Sequence, residues 1–274
     1  MHNEYNNELR GISQIERLVI NALIRVGRPI IRAENLETTF GYKRPQANLL
    51  LSRLKKKGWL QRLAPGIYKI VPLGSDSSNP VPDDPLPIAV ELFSPCYISG
   101  WTAAEHWDLT EQIFNSTCVF TQQKQRQTEH KIAGVIFKTK SISSKRFFGL
   151  KKIWSNNIQI QIADIHKTII DIMDDPDIGG GGIQAIEIFK AYIQSKDANI
   201  ETLHNYAELL NHGAVYKRLG FLIEQNSKDK GLWVDKLHSK IKKGIINFDP
   251  NGPKKGPITT KWGIRLNVPL EDIA

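Results

Sequence analysis

Behind Ser13-Gln14-Ile15-Glu16, the apolar residues Ile15, Leu18, Val19, Ala22, Leu23 and Val26 recur at intervals of three and four, the spacing of one face of a helix. Ser13 and Glu16 have the spacing of a capping box, in which hydroxyl and carboxylate satisfy each other's free backbone N–H at the helix start. The pattern predicts a first helix ending at Val26, with Gly27 as a left-handed stop. Residues 33–40 predict a short second helix closed by Gly41; Pro45, at a first-turn position, opens a third that runs to Lys57 with Gly58 as its terminator. The period then changes. Two β-rich runs, 59–63 and 67–71, flank a turn at Ala64-Pro65-Gly66. Three helices followed by a hairpin make a winged helix-turn-helix.

Residues 72–85 interrupt every periodicity. They are rich in Pro, Ser and Asp, with little to bury, and predict an extended, semi-flexible tether. Beyond it the pattern is mixed. Helices are predicted near 86–93 and 102–107, β-rich runs at 116–121 and 132–139, and a strictly alternating strand at 157–163 that puts Ile158, Ile160 and Ile162 on one face. Helical spacing returns at 164–173, 183–194, 200–210 and 215–224, and the β-prone end, 262–268, reads as a strand returning to the sheet. The expected architecture is α+β: a winged helix-turn-helix over 1–74, a linker over 75–85 and a larger mixed α+β domain over 86–274.

Composition supports a packed chain: 274 residues with 41% apolar side chains, six Trp and ten Phe can bury most of their unfolded surface. The longest charge-free run, 92–104, is too short and too polar for the roughly 20 residues of a membrane span. The first ten residues carry no apolar signal region, so a soluble, cytoplasmic protein is expected. Cys96 and Cys118 belong to no CxxC pair, which argues against a disulfide framework or zinc knuckle; both read as small buried hydrophobes.

Charge sharpens the reading of the first quarter. Up to Gly74 there are thirteen Lys and Arg against five acids, so nearly all of the net +9 lies there. Such a field attracts a polyanion. On a helical wheel of the third helix, Ala47, Leu50, Leu51 and Leu54 share the core stripe. Ser52 and Lys56 lie opposite, flanked by Asn48 and Arg53, with Lys43, Arg44 and Gln46 at the N-terminal end. A recognition helix lays its N-terminal part in the major groove, where Arg, Gln and Asn read base edges and Lys and Ser hold phosphates. Arg44, Gln46 and Asn48 are the candidates for bases, and Lys43, Ser52, Arg53 and Lys56 for the backbone. Arg62 is a candidate wing contact. Leu49 also points outward, toward a thymine methyl or another segment. Winged helices also serve as protein–protein modules; the basic outward face favours DNA.

The larger domain offers weaker chemistry. Asp171, Asp174, Asp175 and Asp177 crowd one helix end, as hard-cation sites do, but without an EF-hand pattern; a helix-terminating acidic loop is the simpler reading. Gly179 to Gly182 could form an anion nest, yet it lacks the Walker and dinucleotide fingerprints and reads as a flexible helix entrance. The seven histidines include no HExxH. His106, beside Trp107, reads as a core or rim residue.

Several segments together resemble one family. Residues 44–68, with KKKGWLQRLAPGIY, are similar to the N-terminal winged helix of bacterial AbiEi-type antitoxins. The segments YISGWTAAEHWDL from Tyr97, IADIHKTIID from Ile162, KRLGFL from Lys217 and WGIRLN from Trp262 follow in the order of that family's larger domain, with Trp101 and Trp107 where smaller residues are common. The resemblance implies a type IV antitoxin of a phage-defence, abortive-infection system. Its winged helix would be a transcriptional repressor of the antitoxin–toxin operon, binding repeats in double-stranded promoter DNA. Its larger domain would neutralise a nucleotidyltransferase-like toxin without needing a stable complex. The resemblance carries over no catalytic residue, metal or cofactor. Lys167, Thr168 and Asp171 with Lys217 and Arg218 are the candidate antitoxic surface. Two alternatives stay open: a regulator whose large domain senses a small ligand, and a metal-dependent nucleic-acid enzyme using the carboxylates near Asp174.

Overall fold

The computed structural model describes residues 11–25, 30–72, 75, 77–155, 157–226 and 231–269. The expected helix end at Val26 and stop at Gly27 lie outside them, as do Leu73, Gly74 and Asp76 at the expected boundary. The first unit comprises α1 (Gln14–Arg25), β1 (Ile30–Arg32), α2 (Ala33–Phe40), α3 (Arg44–Lys56), β2 (Leu60–Ala64) and β3 (Ile67–Ile70). The strands form an antiparallel sheet in the order β1-β3-β2. Gly41 closes α2 in the left-handed conformation at φ 68°. Strand β1, which the sequence reading did not contain, adds Ile30 and Ile31 to the outer side of the hairpin.

The capping box of α1 is formed: the Ser13 N–H donates to Glu16 Oε2 at 2.8 Å and the Glu16 N–H to Ser13 Oγ at 3.3 Å. The buried stripe is nevertheless rotated from the expected one. Val19, Ile20 and Leu23 face the core, while Ile15 and Leu18 are 64% and 62% exposed. The cause is Glu16 itself. It is buried, and it receives Lys57 Nζ at 2.7 Å and Arg53 at 3.7 Å from the end of α3. Burial would raise its pKa, but Lys57 and the Ser13 hydrogen bonds hold it at about 2. Turning Glu16 inward carries Val19, Ile20 and Leu23 with it and leaves Ile15 outside.

The second unit begins with α4 (Leu86–Phe93), β4 (Cys96–Ile98), α5 (Gly100–His106), β5 (Ser116–Thr121), β6 (Glu129–Ile132), β7 (Val135–Ser141), β8 (Leu150–Ser155) and β9 (Ile158–Ala163). Its sheet runs β6-β7-β5-β4-β9-β8, with β5/β7 and β4/β9 parallel and the other pairs antiparallel. The strand expected over 132–139 is present from Val135 on as β7; its start belongs to the turn at Ala133 and Gly134, both at positive φ, that joins it to β6 in a hairpin. Ile160 and Ile162 are buried between exposed Gln159 and Gln161, as the alternation requires.

Helices α6 (Ile165–Asp174), α7 (Gly182–Gln194), α8 (Ile200–Leu210), α9 (Gly213–Asn226) and α10 (Gly231–Ser239) follow, then β10 (Ile246–Asn247), β11 (Ile258–Thr259) and β12 (Ile264–Arg265). The last strand does not return to the large sheet. It lies between β10 and β11 in a small sheet of its own, because Trp262 and Phe248 anchor both ends of the segment in the helical core instead. Cys96 and Cys118 are free and buried, and burial pushes their thiols up to about 11 and 12.

Between the units, the described part of 72–85 forms neither helix nor strand, yet the two units touch. Ile30, Leu63 and Ile67 of the winged helix are buried in one apolar cluster with Ile88, Phe93, Ile98, Ile160 and Ile162. Beside this seam Arg32 pairs with the Glu91 carboxylate and donates to the Glu91 carbonyl oxygen at 3.1 Å. Asp84 also bonds the Ser155 hydroxyl.

Candidate nucleic-acid interface

Helix α3 buries Ala47, Leu50, Leu51 and Leu54 and turns its other faces to solvent. Lys43, Arg44, Gln46, Asn48, Ser52, Arg53 and Lys56 are all exposed, as is Arg62 on β2. Leu49 stands among them at 66% exposure. The outward face is therefore polar and cationic around a single aliphatic side chain.

Its members are not equally free. Arg44 pairs with Glu34 at 3.1 Å and Glu37 at 3.2 Å, both on α2. Gln46 Oε1 accepts the Lys43 N–H at 3.2 Å, Arg53 leans toward Glu16, and Arg62 Nε donates to the Ala64 carbonyl at 3.4 Å. Asn48, Ser52 and Lys56 have no partner among the described residues. Reading a base edge with Arg44 requires exchanging two exposed ion pairs, which are worth little each in water.

The residues expected to form an antitoxic surface do not lie on a surface. Lys167, Thr168, Asp171, Lys217 and Arg218 are all buried, a correction that has a plain geometric origin. Lys167 and Asp171, one helical turn apart on α6, pair at 2.5 Å. Asp171 also receives Tyr97 at 3.0 Å, Ser99 at 2.9 Å and Arg146 at 3.1 Å. Thr168 donates its hydroxyl to the Asp164 carbonyl at 2.8 Å. Arg218 spends its guanidinium on the carbonyls of Met173, Asn247 and Phe248, and Lys217 bonds the Gly244 carbonyl. The motif's charges are internal fasteners that tie α6 to the sheet and α9 to the C-terminal segment.

The acidic cluster is likewise occupied. Asp174 binds Lys140 at 3.2 Å, Arg146 at 2.8 Å and His212 at 2.7 Å; Asp175 binds Lys140 at 2.8 Å and Asp177 binds Lys138 at 2.5 Å. Every carboxylate of the cluster already faces a cation. Gly179 to Gly182 lead into α7 and do not form a nest: the Gly180 and Gly181 N–H groups bond the carbonyls of Asp177 and Pro176, and only the Gly182 N–H meets a carboxylate, Asp249 Oδ2 at 2.9 Å. His106 is exposed at the rim, its ring against Trp107.

Burial would raise the pKa of Asp174, but Lys140 and Arg146 outweigh it and hold the group at about 2. With an unfolded value near 4, its contribution is present above that pH and is lost as pH falls through about 2. Wild type should lose about 2 kcal/mol between pH 5 and pH 2 through this group. Urea unfolding at both pH values, with Asp174→Asn as reference, checks it: the variant should be less stable at pH 5 and show a flatter acid limb.

Among the described residues no helix is long and apolar enough to cross a membrane. The fold is that of a solved structure titled as the crystal structure of the RV2827C protein from Mycobacterium tuberculosis. The match has a TM-score of 0.64 at 14% identity and covers 94% of this chain and 92% of that one. No curated protein matches the chain. Residues 19–71, from the buried face of α1 to the end of the wing, match a family model described as transcriptional regulator, AbiEi antitoxin.

Proposed function

We propose that the chain is a type IV antitoxin and autorepressor. Its winged helix binds double-stranded repeats in the promoter of its own operon, and its larger domain neutralises a nucleotidyltransferase-like toxin. The observation that carries the DNA half is the outward face of α3: a helix with a fully buried leucine stripe presents Lys43, Arg44, Gln46, Asn48, Ser52, Arg53 and Lys56 to solvent, uncovered by the second unit. On this reading Arg44, Gln46 and Asn48 read base edges in the major groove and the lysines meet phosphates.

For the antitoxic half, the buried motif residues act by shaping the domain, so the contact surface is drawn from exposed neighbours. The matched segment ends at residue 71, and the support for toxin neutralisation is the resemblance of the later motifs. Co-expressing each unit separately with the neighbouring toxin gene, and scoring growth, tests it. Rescue by the winged helix alone would reverse the assignment.

A mobility shift on the chain's own upstream DNA, repeated across salt concentrations, tests the first half; absence of any shift refutes it. Lys56→Ala should weaken all duplexes alike and lower the slope of log K against log salt by about 0.9. Gln46→Ala should cost about 1 to 3 kcal/mol on the operator and far less on random duplex. Arg44→Ala should do the same, reduced by the ion pairs it gives up.

A further inference from the structure

Among the described residues, Trp154 is the one Trp, Tyr or Phe side chain that stands mostly in water, 71% exposed. It lies on β8, the edge strand of the large sheet. In the β8–β9 register Trp154 is opposite Gln159, and Lys152 is opposite Gln161. Directly opposed residues share a face, so these four side chains form one outward patch, all of them exposed. Residues 145–161 carry Lys145, Arg146, Lys151 and Lys152 and no acid. Arg146 is committed to Asp171 and Asp174, whereas the three lysines form no ion pair among the described residues.

Edge lysines by themselves would keep another strand from adding to the sheet. A bare indole beside them works against that purpose. A protein contact centred on Trp is ordinarily ringed by side chains that exclude water, whereas here the ring is Lys and Gln. A flat aromatic platform with cations and amides suits unpaired bases, whose π-faces stack while phosphates meet lysine. A duplex offers no open base face to it.

We propose that this face binds single-stranded RNA. A base stacks on Trp154, the adjoining phosphate meets Lys152, and the Gln159 and Gln161 amides take the base edge and the 2′-hydroxyl, the group that separates RNA from DNA. RNA is the source because cellular DNA holds its bases in duplex.

The test is fluorescence anisotropy of the full chain with labelled 12-mer oligo(U), oligo(dT) and the promoter duplex. Trp154→Ala should weaken oligo(U) about tenfold and leave the duplex unchanged; Trp154→Phe should keep most of the affinity. Lys152→Ala should lower the oligo(U) salt slope by about 0.7. Equal oligo(U) binding by wild type and Trp154→Ala overturns the proposal, as does oligo(dT) binding as tight as oligo(U). Equal weakening on oligo(U) and duplex would indicate a general defect and also overturn it. So would loss of self-association in sedimentation with oligo(U) binding intact, which would make the patch a protein contact.

Discussion

Replacing Asp171 by alanine should destabilise the chain by about 3 to 5 kcal/mol, a fall in melting temperature of roughly 10 °C for a body of this size. Asp171 is wholly buried and is the acceptor on which Lys167, Arg146, Tyr97 and Ser99 converge. Its removal leaves Lys167 without its counter-charge inside the domain. Burial already depresses the Lys167 pKa, and Asp171 is the chief influence opposing that. The remaining contacts of the Lys167 ammonium include the Tyr97 hydroxyl at 3.2 Å and the faces of Phe148 at 4.6 Å and Tyr97 at 5.4 Å, which do not replace a carboxylate.

The reverse deletion should be milder. Lys167→Met leaves Asp171 with Arg146 and two hydroxyl donors, so a loss of about 1 to 3 kcal/mol is expected. The double variant should be less damaged than the sum of the two, with a coupling of about 2 kcal/mol or more, because neither change then strands a charge. Urea unfolding of the four proteins gives the cycle directly. Additive effects would show that the pair is not the unit described here.

The local architecture of the winged helix was legible because the relevant signals are local. The Ser13–Glu16 box, Gly41, Pro45 and the Pro65-Gly66 turn act within a few residues, and the spacing of Ala47, Leu50, Leu51 and Leu54 separated core from outward face on α3. The rotation of α1 was not legible, since it follows from Glu16 meeting Lys57 across 41 positions. Strand β8 is not legible in the sequence because an edge strand with two lysines lacks the apolar alternation of β9. Lys167 and Arg218 misled for a related reason: charge in a sequence reads as surface, and only their long-range partners, Tyr97 for one and the Phe248 carbonyl for the other, show them to be internal. The Asp249 carboxylate that meets the Gly182 N–H is 67 residues away, beyond the reach of any motif.

Gly220→Ala should be the second severe substitution, and it runs against helix propensity. In the interior of α9, alanine should gain about 1 kcal/mol over glycine. The methyl group, however, would lie 2.2 Å from Trp262 Cη2 and Cζ3, far inside contact distance, so the indole must move. It has little room to do so. Trp262 is buried, its Nε1–H donates to Glu224 Oε2 at 2.7 Å, and its ring meets His238 edge-on. Displacing it breaks the anchor that holds β12 beside β10 and β11. Overpacking typically costs about 1 to 3 kcal/mol, occasionally more; against a pinned ring it falls at the upper end, about 3 kcal/mol, so a net loss of about 2 kcal/mol is expected after the propensity gain of about 1. The rescue is specific. Trp262→Phe removes the part of the indole that collides, at a cost of its own from the lost hydrogen bond and volume. If the collision is the cause, Gly220→Ala should cost markedly less in the Trp262→Phe background than in wild type, as read from melting temperatures. Equal costs in both backgrounds would show that Gly220 is there for some reason other than the ring against it.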